Sequence, residues 1–423
     1  MIGKLPKGAG IWLAAVAVAA VMPWLFTSGF ALTTMSQMGV LIIFALAYNM
    51  LLGQGGMLSF GHAVYFGLAG YVTIHVLNAI GAGWLPYIPV SLMPILGGAV
   101  GLFFGVLIGF VSTRRAGTTF AMISLGFAEM ATALTLILVV FFNGEEGIQT
   151  DRWVGPEPFG ITFGPDIQVY YLIAAWCLIA SWSMYALTRT PFGRMSNALR
   201  DNPERLEFVG YSAHRMRWLA FSLSSFFAGL AGALHAINIE HVGFETVGLA
   251  QSGLVLFMVY IGGTGNFAGP VLGAILITFL NGYLSDLTDA WYLYLGILFV
   301  TIVVYAPGGL AGLIMMHEPI WKTDFRLLGG MVVPYAAAIG ASLVALVGVL
   351  GLVDMVYFRS TKSLGKGSEF NLFGIAVDTA DLAPWAVCAI IGVAGIVACR
   401  ATYGRMTASR HAAMDAVKAR AAP

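Results

Sequence analysis

Charge is scarce in this sequence. Asp, Glu, Lys and Arg make up 10% of its 423 residues while hydrophobic residues reach 59%, and soluble globular chains carry about 25% charge. A soluble domain is excluded, and nothing in the balance asks for a nucleic-acid partner. Cysteine is also rare. Cys177, Cys388 and Cys399 fall in or at the ends of apolar runs, which excludes an external disulfide framework and leaves them as packing residues. The common signatures of chemistry are missing as well: there is no G-x-x-x-x-G-K-[ST] phosphate loop, no H-E-x-x-H, no C-x-x-C and no G-x-S-x-G. The chain is therefore expected to have no catalytic residues and no cofactor of its own, and any ATP that drives it is bound by another chain. His75, His235 and His241 show no metal-ligand spacing, and no metal is assigned.

What is abundant is apolar sequence in lengths of about 17 to 25 residues, enough to cross a hydrocarbon core of roughly 30 Å as helix. Such stretches lie near 11–28, 31–52, 86–111, 118–142, 168–187, 218–239, 291–306, 329–353 and 383–399, with glycine-interrupted ones at 57–79, 248–264 and 268–284. The basic N-terminus and first run resemble a signal peptide, but a second span follows directly, so an uncleaved first helix is predicted. Threading all the stretches collects Lys4, Lys7, Arg114, Arg115, Arg189, Arg200, Arg205, Arg400 and Arg410 on one side. Glu145, Glu146, Glu157, Asp166, Glu240 and Glu245 fall on the other. Because Lys and Arg beside short loops stay inside, both termini are expected to be cytoplasmic. Arg359, Lys362 and Lys366, in a predicted outer loop at 354–382, run against this pattern.

Two polar segments interrupt the apolar sequence. Residues 143–166 are acidic and carry Gly155, Pro156, Pro158 and Gly160 among their turn residues, as an outer loop facing a soluble partner or substrate would. Residues 190–217 are basic, and within them Asn202 reads as a helix cap, Pro203 as a first-turn proline and Glu204 as an acid at the positive end of the dipole. A short helix with Leu206, Val209 and Gly210 at helical spacing follows. It is either a docking element or a surface helix lying among lipid headgroups.

The most informative run is GQGGMLSFGHAVYFGLAGY at 53–71. It is apolar enough for bilayer depth, yet six glycines with Gln54, Ser59 and His62 place bare backbone and polar groups there. That combination is tolerated only inside protein or beside a water-filled path. A second break, IGGTGNFAGPVLG at 261–273, carries Asn266. Paired breaks point to a transport path between repeats; the alternative is close helix packing by small residues. Glu129, midway along 118–142, lines a cavity, carries a proton or ties two helices together. His62 is either a donor toward substrate, a pH-sensitive group or a satisfied interior residue. Asn49, Thr118 and Thr119 are weaker candidates of the same kind.

Taken in order, the run at 53–71, RRAGTTFAMISLGFAE at 114–129, ALRDNPER at 198–205 with Gly210, AGLAGAL at 228–234, the run at 261–273 and APGGLAGL at 306–313 resemble the M-type permease subunits of branched-chain amino acid ABC importers. The resemblance covers about 30–315. It implies an inner-membrane pore shared with a second, H-type permease, two ATP-binding subunits and a periplasmic substrate-binding protein. It also implies that Asn202, Glu204, Arg205, Leu206 and Gly210 belong to a loop coupling to an ATPase, and that the solute is set largely by the binding protein; related systems carry urea or short amides. Asn143-Gly144-Glu145-Glu146-Gly147 departs from the family's usual outer turn, and residues from about 327 extend past its usual end.

The expected fold is an all-α polytopic membrane bundle with broken or re-entrant glycine-rich helices. A permease domain would occupy 1–320, with its coupling segment at 190–217, and an extension with two further spans and a basic tail would occupy 321–423. Gln54, Ser59, His62, Thr118, Glu129 and Asn266 are the candidate path residues. An ion-coupled secondary transporter acting through Glu129 and His62 is the competing reading; a membrane enzyme has no constellation to support it.

Overall fold

All the predicted apolar stretches appear, in order, as helices in the computed structural model, which describes residues 9–154, 162–287, 291–323, 325–361, 369–372 and 375–421. Lys4, Lys7, Gly155, Pro156, Glu157, Pro158, Gly160, Lys362 and Lys366 lie outside the described residues. In a hydrocarbon solvent every backbone N–H and C=O has to be satisfied within the protein, and helices do this locally. In chain order, α1 (Ala9–Leu25) and α2 (Gly29–Asn49) are followed by a π-helical turn at Met50–Gln54, then α3 (Ala63–Gly81), α4 (Met93–Ser112), α5 (Thr118–Ile137), the short α6 (Val139–Phe142) and α7 (Asp166–Arg189). Two short helices, α8 (Pro191–Asp201) and α9 (Pro203–Phe208), lead into α10 (Ala213–Ile239). After it come α11 (Leu249–Gly262), α12 (Gly269–Leu287), α13 (Trp291–Tyr305), α14 (Gly309–Met315), α15 (Glu318–Thr323), α16 (Gly329–Thr361) and α17 (Leu382–Ala421).

Among the described residues, eight helices are long and apolar enough to cross a membrane alone. A ninth crossing is made if Trp291–Tyr305 and Gly309–Ile320, bent by 45°, are taken together. The apolar helices at 10–25, 249–262 and 269–284 are shorter. The chain divides into two compact units, one formed from 1–282 and 299–312 and the other from 283–298 and 313–423.

The first unit is built around α10, most of whose residues are buried. Its sequence explains this: serines, alanines and Gly229 and Gly232 fill its middle, and small residues let membrane helices approach closely where lipid offers no hydrophobic drive to associate. On α4, Gly97, Gly101, Gly105 and Gly109 recur every fourth residue and meet α10 along its length. A Cβ on Gly101 would stand 2.2 Å from the Ser225 carbonyl oxygen, and one on Gly232 would stand 1.9 Å from that of Phe66 in α3. At the acidic end, β1 (Ile148–Gln149) pairs antiparallel with β2 (His241–Val242), Ile148 opposite Val242. Arg152 fastens the same loops, donating to Asp166 Oδ1 at 2.8 Å and to the Gly164 carbonyl at 2.7 Å while its backbone N–H donates to Glu240 Oε1 at 2.9 Å. A cation on the acidic face is thus neutralised by two carboxylates.

In the second unit α16 and α17 pack against each other where Gly348 meets Gly392 and Gly395 meets Ala345. A ribbon, β3 (Glu369–Leu372) with β4 (Ile375–Asp378), lies between them in sequence. The predicted outer loop at 354–382 is shorter than expected, because α16 continues to Thr361. Buried Asp354 accepts a hydrogen bond from Tyr294, and Arg359 Nη1 donates to the Thr379 carbonyl at 3.0 Å, so the polar residues that read as loop are used inside the unit. The basic tail is not a separate element either. It continues α17, whose length is about 60 Å at roughly 1.5 Å per residue, and its Ala413, Met414 and Val417 pack against Ile320, Met331 and Tyr335.

Candidate functional site

The break that opens the run at 53–71 is shorter than the sequence implies: helix resumes at Ala63, so only 55–62 is irregular. Ending a helix leaves its last carbonyls and the next helix's first N–H groups without partners. Here the chain reverses at Gly55 and Gly56, the latter with φ +65°, and the N–H groups of Gly56 and Met57 fold back onto the carbonyls of Leu52 and Leu51. The chain then returns without helix to the depth of Ser224, about 16 Å along α10 from its start at ~1.5 Å per residue.

Other helices supply the partners of this returning strand. Ser124 of α5 accepts from the Phe60 N–H at 3.0 Å, Ser252 of α11 accepts from the Ala63 N–H at 3.1 Å, and Tyr48 of α2 donates to the Ser59 carbonyl at 2.8 Å. Ser224 of α10 lies 3.0 Å from His62 Nε2 and donates to the Ala47 carbonyl. Gly61 sits on α5, where a Cβ would meet the Ser124 carbonyl at 2.3 Å. Sequence reading missed Ser124, Ser224 and Ser252. Serine is neutral to any pattern search, and the signal available was only its recurrence inside otherwise apolar spans. Replacing Ser252 by Ala strands the buried Ala63 N–H, which costs about 1–3 kcal/mol; thermal unfolding of the detergent-solubilised protein is expected to show a lowered midpoint.

The second break is a knot of backbone. α11 ends at Gly262, and Gly263 takes φ +107°. A Cβ on Gly262 would stand 2.0 Å from the Gly269 carbonyl, and one on Gly263 would stand 2.2 Å from that of Gly308. The two breaks touch, since Gly53 lies under the Thr264 carbonyl, 2.7 Å from where its Cβ would be.

The six candidate path residues fall into three places. Ser59 and His62 are in the interior: Ser59 Oγ and His62 Nδ1 have no hydrogen-bond partner among the described residues, and the His62 ring lies among Phe44, Tyr48, Tyr65 and Phe221. Gln54, at the end of the π-helical turn, and Asn266, whose Oδ1 accepts from the Ala268 N–H at 3.3 Å, are half-buried beside the two breaks. Thr118 and Glu129 are exposed on α5. Glu129 shares its outward stripe with Met122, Gly126, Met130, Ala133 and Ile137, which is one helical face. An acid in mid-span on the surface of the chain is the most unusual feature of the molecule.

At the basic end, α8 and α9 form a small unit packed on the start of α10. Asn202 Oδ1 caps α9 by accepting from the N–H groups of Glu204 and Arg205 at 3.0 and 3.1 Å. Gly210, with φ +91°, ends α9: its N–H donates to the Glu207 carbonyl and that of Tyr211 to the Leu206 carbonyl, the Schellman arrangement that glycine permits. Glu204 and Arg205 are exposed on the first turn of α9. Leu206 does not point outward as the spacing implied. It is buried with Leu199, Ala213 and Met216. The outward apolar side chains are Phe208, 88% exposed, and Val209, 69% exposed.

Sequence comparison covers the breaks and this basic unit together. The profile of the family described as branched-chain amino acid transport system / permease component matches residues 30–305. The high-affinity branched-chain amino acid transport system permease protein LivM of Salmonella typhimurium is 28% identical over 340 residues, 75% of this chain and 76% of that protein. The protein of the same name from Escherichia coli is 28% identical over 312 residues, covering 69% and 70%. The autoinducer 2 import system permease protein LsrC of Photorhabdus laumondii is 27% identical over 233 residues, covering 53% and 66%. No solved structure matches.

Proposed function

The chain belongs to the family of branched-chain amino acid transport permease components, and from that premise we propose that it moves branched-chain or related amino acids inward across a bacterial inner membrane. It is a permease subunit of an ABC importer, a multi-pass membrane protein and a transport component. The amino acid class follows the longer matches, which extend over 340 and 312 residues, against 233 for the autoinducer 2 relative. Both termini face the cytoplasm, a reading supported by the arginines that threading the apolar stretches places on one side.

In this reading the partners are an H-type permease, two ATP-binding subunits that hold and hydrolyse ATP, and a periplasmic binding protein. Segment 190–217 seats in one ATPase. The observation that carries the assignment is the pair Phe208 and Val209, exposed at the end of a helix whose other side, through Leu206, is locked into the chain's own core. Rigid apolar anchors of this kind suit a partner groove. The second permease covers the outward face of α5, and the path runs beside Glu129 and Thr118, with Gln54 and Asn266 at the breaks and Ser59 and His62 in the supporting wall. Residues 1–320 form the permease domain and 321–423 an extension.

Co-expression with ATPase, second-permease and binding-protein subunits tests this. Phe208→Asp is expected to prevent ATPase subunits from co-purifying while the chain still inserts. Reconstituted complex is expected to accumulate leucine in preference to urea or short amides, only with internal ATP. Uptake by the lone chain driven by an ion gradient would overturn the assignment.

A further inference from the structure

Where the π-helical turn ends, the carbonyls of Leu52 and Leu51 are met by the chain folding back, through the N–H groups of Gly56 and Met57. The Gly53 carbonyl is met from elsewhere. Arg200 of α8 donates to it from Nη1 at 2.5 Å, while Arg200 Nε lies 3.1 Å from Asp201 Oδ1. The same side chain is wedged under the turn, because a Cβ on Gly56 would stand 2.8 Å from Arg200 Cγ and 3.3 Å from its Cβ. One residue of the basic unit thus both supports and holds the end of the broken helix.

What Arg200 holds is the junction of both breaks. Gly53 is packed against the Thr264 carbonyl of the second break and against Asn49 of α2. A π-helical turn has a looser hydrogen-bond ladder than α-helix and is often found at functional sites. Gly55 and Gly56 beyond it have no side chains to resist rearrangement. On the other side, Arg200 belongs to a packed unit, since Leu199 next to it shares a core with Leu206 of α9 and with Ala213 and Met216 at the start of α10.

We propose that Arg200 is the positioning residue through which displacement of the α8–α9 unit is delivered to the paired breaks, by pushing on Gly56 and pulling on the Gly53 carbonyl. This rests on the reading of 190–217 as the segment that seats in an ATPase. Arg200 sets the position of backbone that does the moving. A guanidinium suits the task because its planar fork engages the Gly53 carbonyl and Asp201 together.

The test uses the whole importer, with ATPase, second-permease and binding-protein subunits, in proteoliposomes, and reads solute accumulated per ATP hydrolysed. Arg200→Gln is expected to leave subunit co-purification and ATP hydrolysis in place while lowering that ratio by about tenfold, the factor lost with one charge-assisted hydrogen bond at the lower end of its range. Arg200→Lys, which keeps the stem and one donor, is expected to retain most of the ratio. Gly56→Ala is expected to lower it in the natural background and to add less in an Arg200→Ala background, where the Cγ that its Cβ would meet is gone, because contacting residues are not additive. An unchanged ratio in Arg200→Gln, or independent effects of the two substitutions, overturns the proposal. If the unaltered chain fails to co-purify with ATPase subunits, the docking reading fails instead. Should Arg200→Gln not fold, the comparison of Arg200→Ala and Gly56→Ala, singly and together, decides by the same criterion.

Discussion

Gly101→Leu is expected to leave almost no folded protein in the membrane. The glycines of α4 lie against α10, and at Gly101 a Cβ alone would stand 2.2 Å from the Ser225 carbonyl oxygen and 2.9 Å from the Gly229 Cα. Both obstacles are backbone in the most buried helix of the unit, so no side chain can rotate away. Overpacking in a well-packed core costs about 1–3 kcal/mol, and here the strain falls where helix association depends on close packing alone. Gel filtration of fluorescently tagged protein in mild detergent reads the outcome. Gly126→Leu is the matched comparison, since nothing lies within 4 Å of the added Cβ: the isolated chain is expected to accumulate normally. A monodisperse Gly101→Leu protein at natural abundance would show that α4 and α10 are not held together as described.

Glu129→Leu is expected to abolish uptake by the assembled importer and to leave the isolated chain intact. Glu129 is exposed midway along α5, and a charged residue at the bilayer centre costs at least ~2.5 kcal/mol on insertion scales unless protein or water covers it. Replacing it with leucine makes the lone helix a better membrane span, so lost function cannot be ascribed to failed insertion. Glu129→Gln, which keeps hydrogen bonding without charge, separates two roles: retained uptake identifies a hydrogen-bonded tie to the second permease, and lost uptake identifies the charge itself as needed. Gly126→Leu, one turn away on the same stripe, is expected to reduce co-purification of the second permease. Normal uptake and assembly in all three variants would mean that this face meets lipid and that the path lies elsewhere.

Much of the architecture was legible without coordinates. Apolar length specifies helix in a bilayer because no water is there to satisfy backbone groups, and the predicted apolar stretches form helices in the same order, with 118–142 divided at Leu138 into α5 and α6. Glycine clusters at 53–71 and 261–273 marked both breaks, and Asn202-Pro203 marked the start of α9. These are local signals, set by backbone conformation and capping.

Direction around each helix was not legible. In a soluble helix a polar face marks the outside, but here lipid and protein interior are equally apolar, and the stripe that separates them vanishes. So the sequence placed Glu129 at mid-span without telling that it faces outward, and it aligned Leu206 with Val209 without telling that one is core and the other surface. It gave no sign that four glycines of α4 belong to α10, that three serines from three helices seal one break, or that Arg200 reaches Gly53 across 147 positions. Helix formation and breakage are decided by neighbours along the chain. Which face meets protein, and which buried carbonyl a distant arginine satisfies, are decided only when the helices pack.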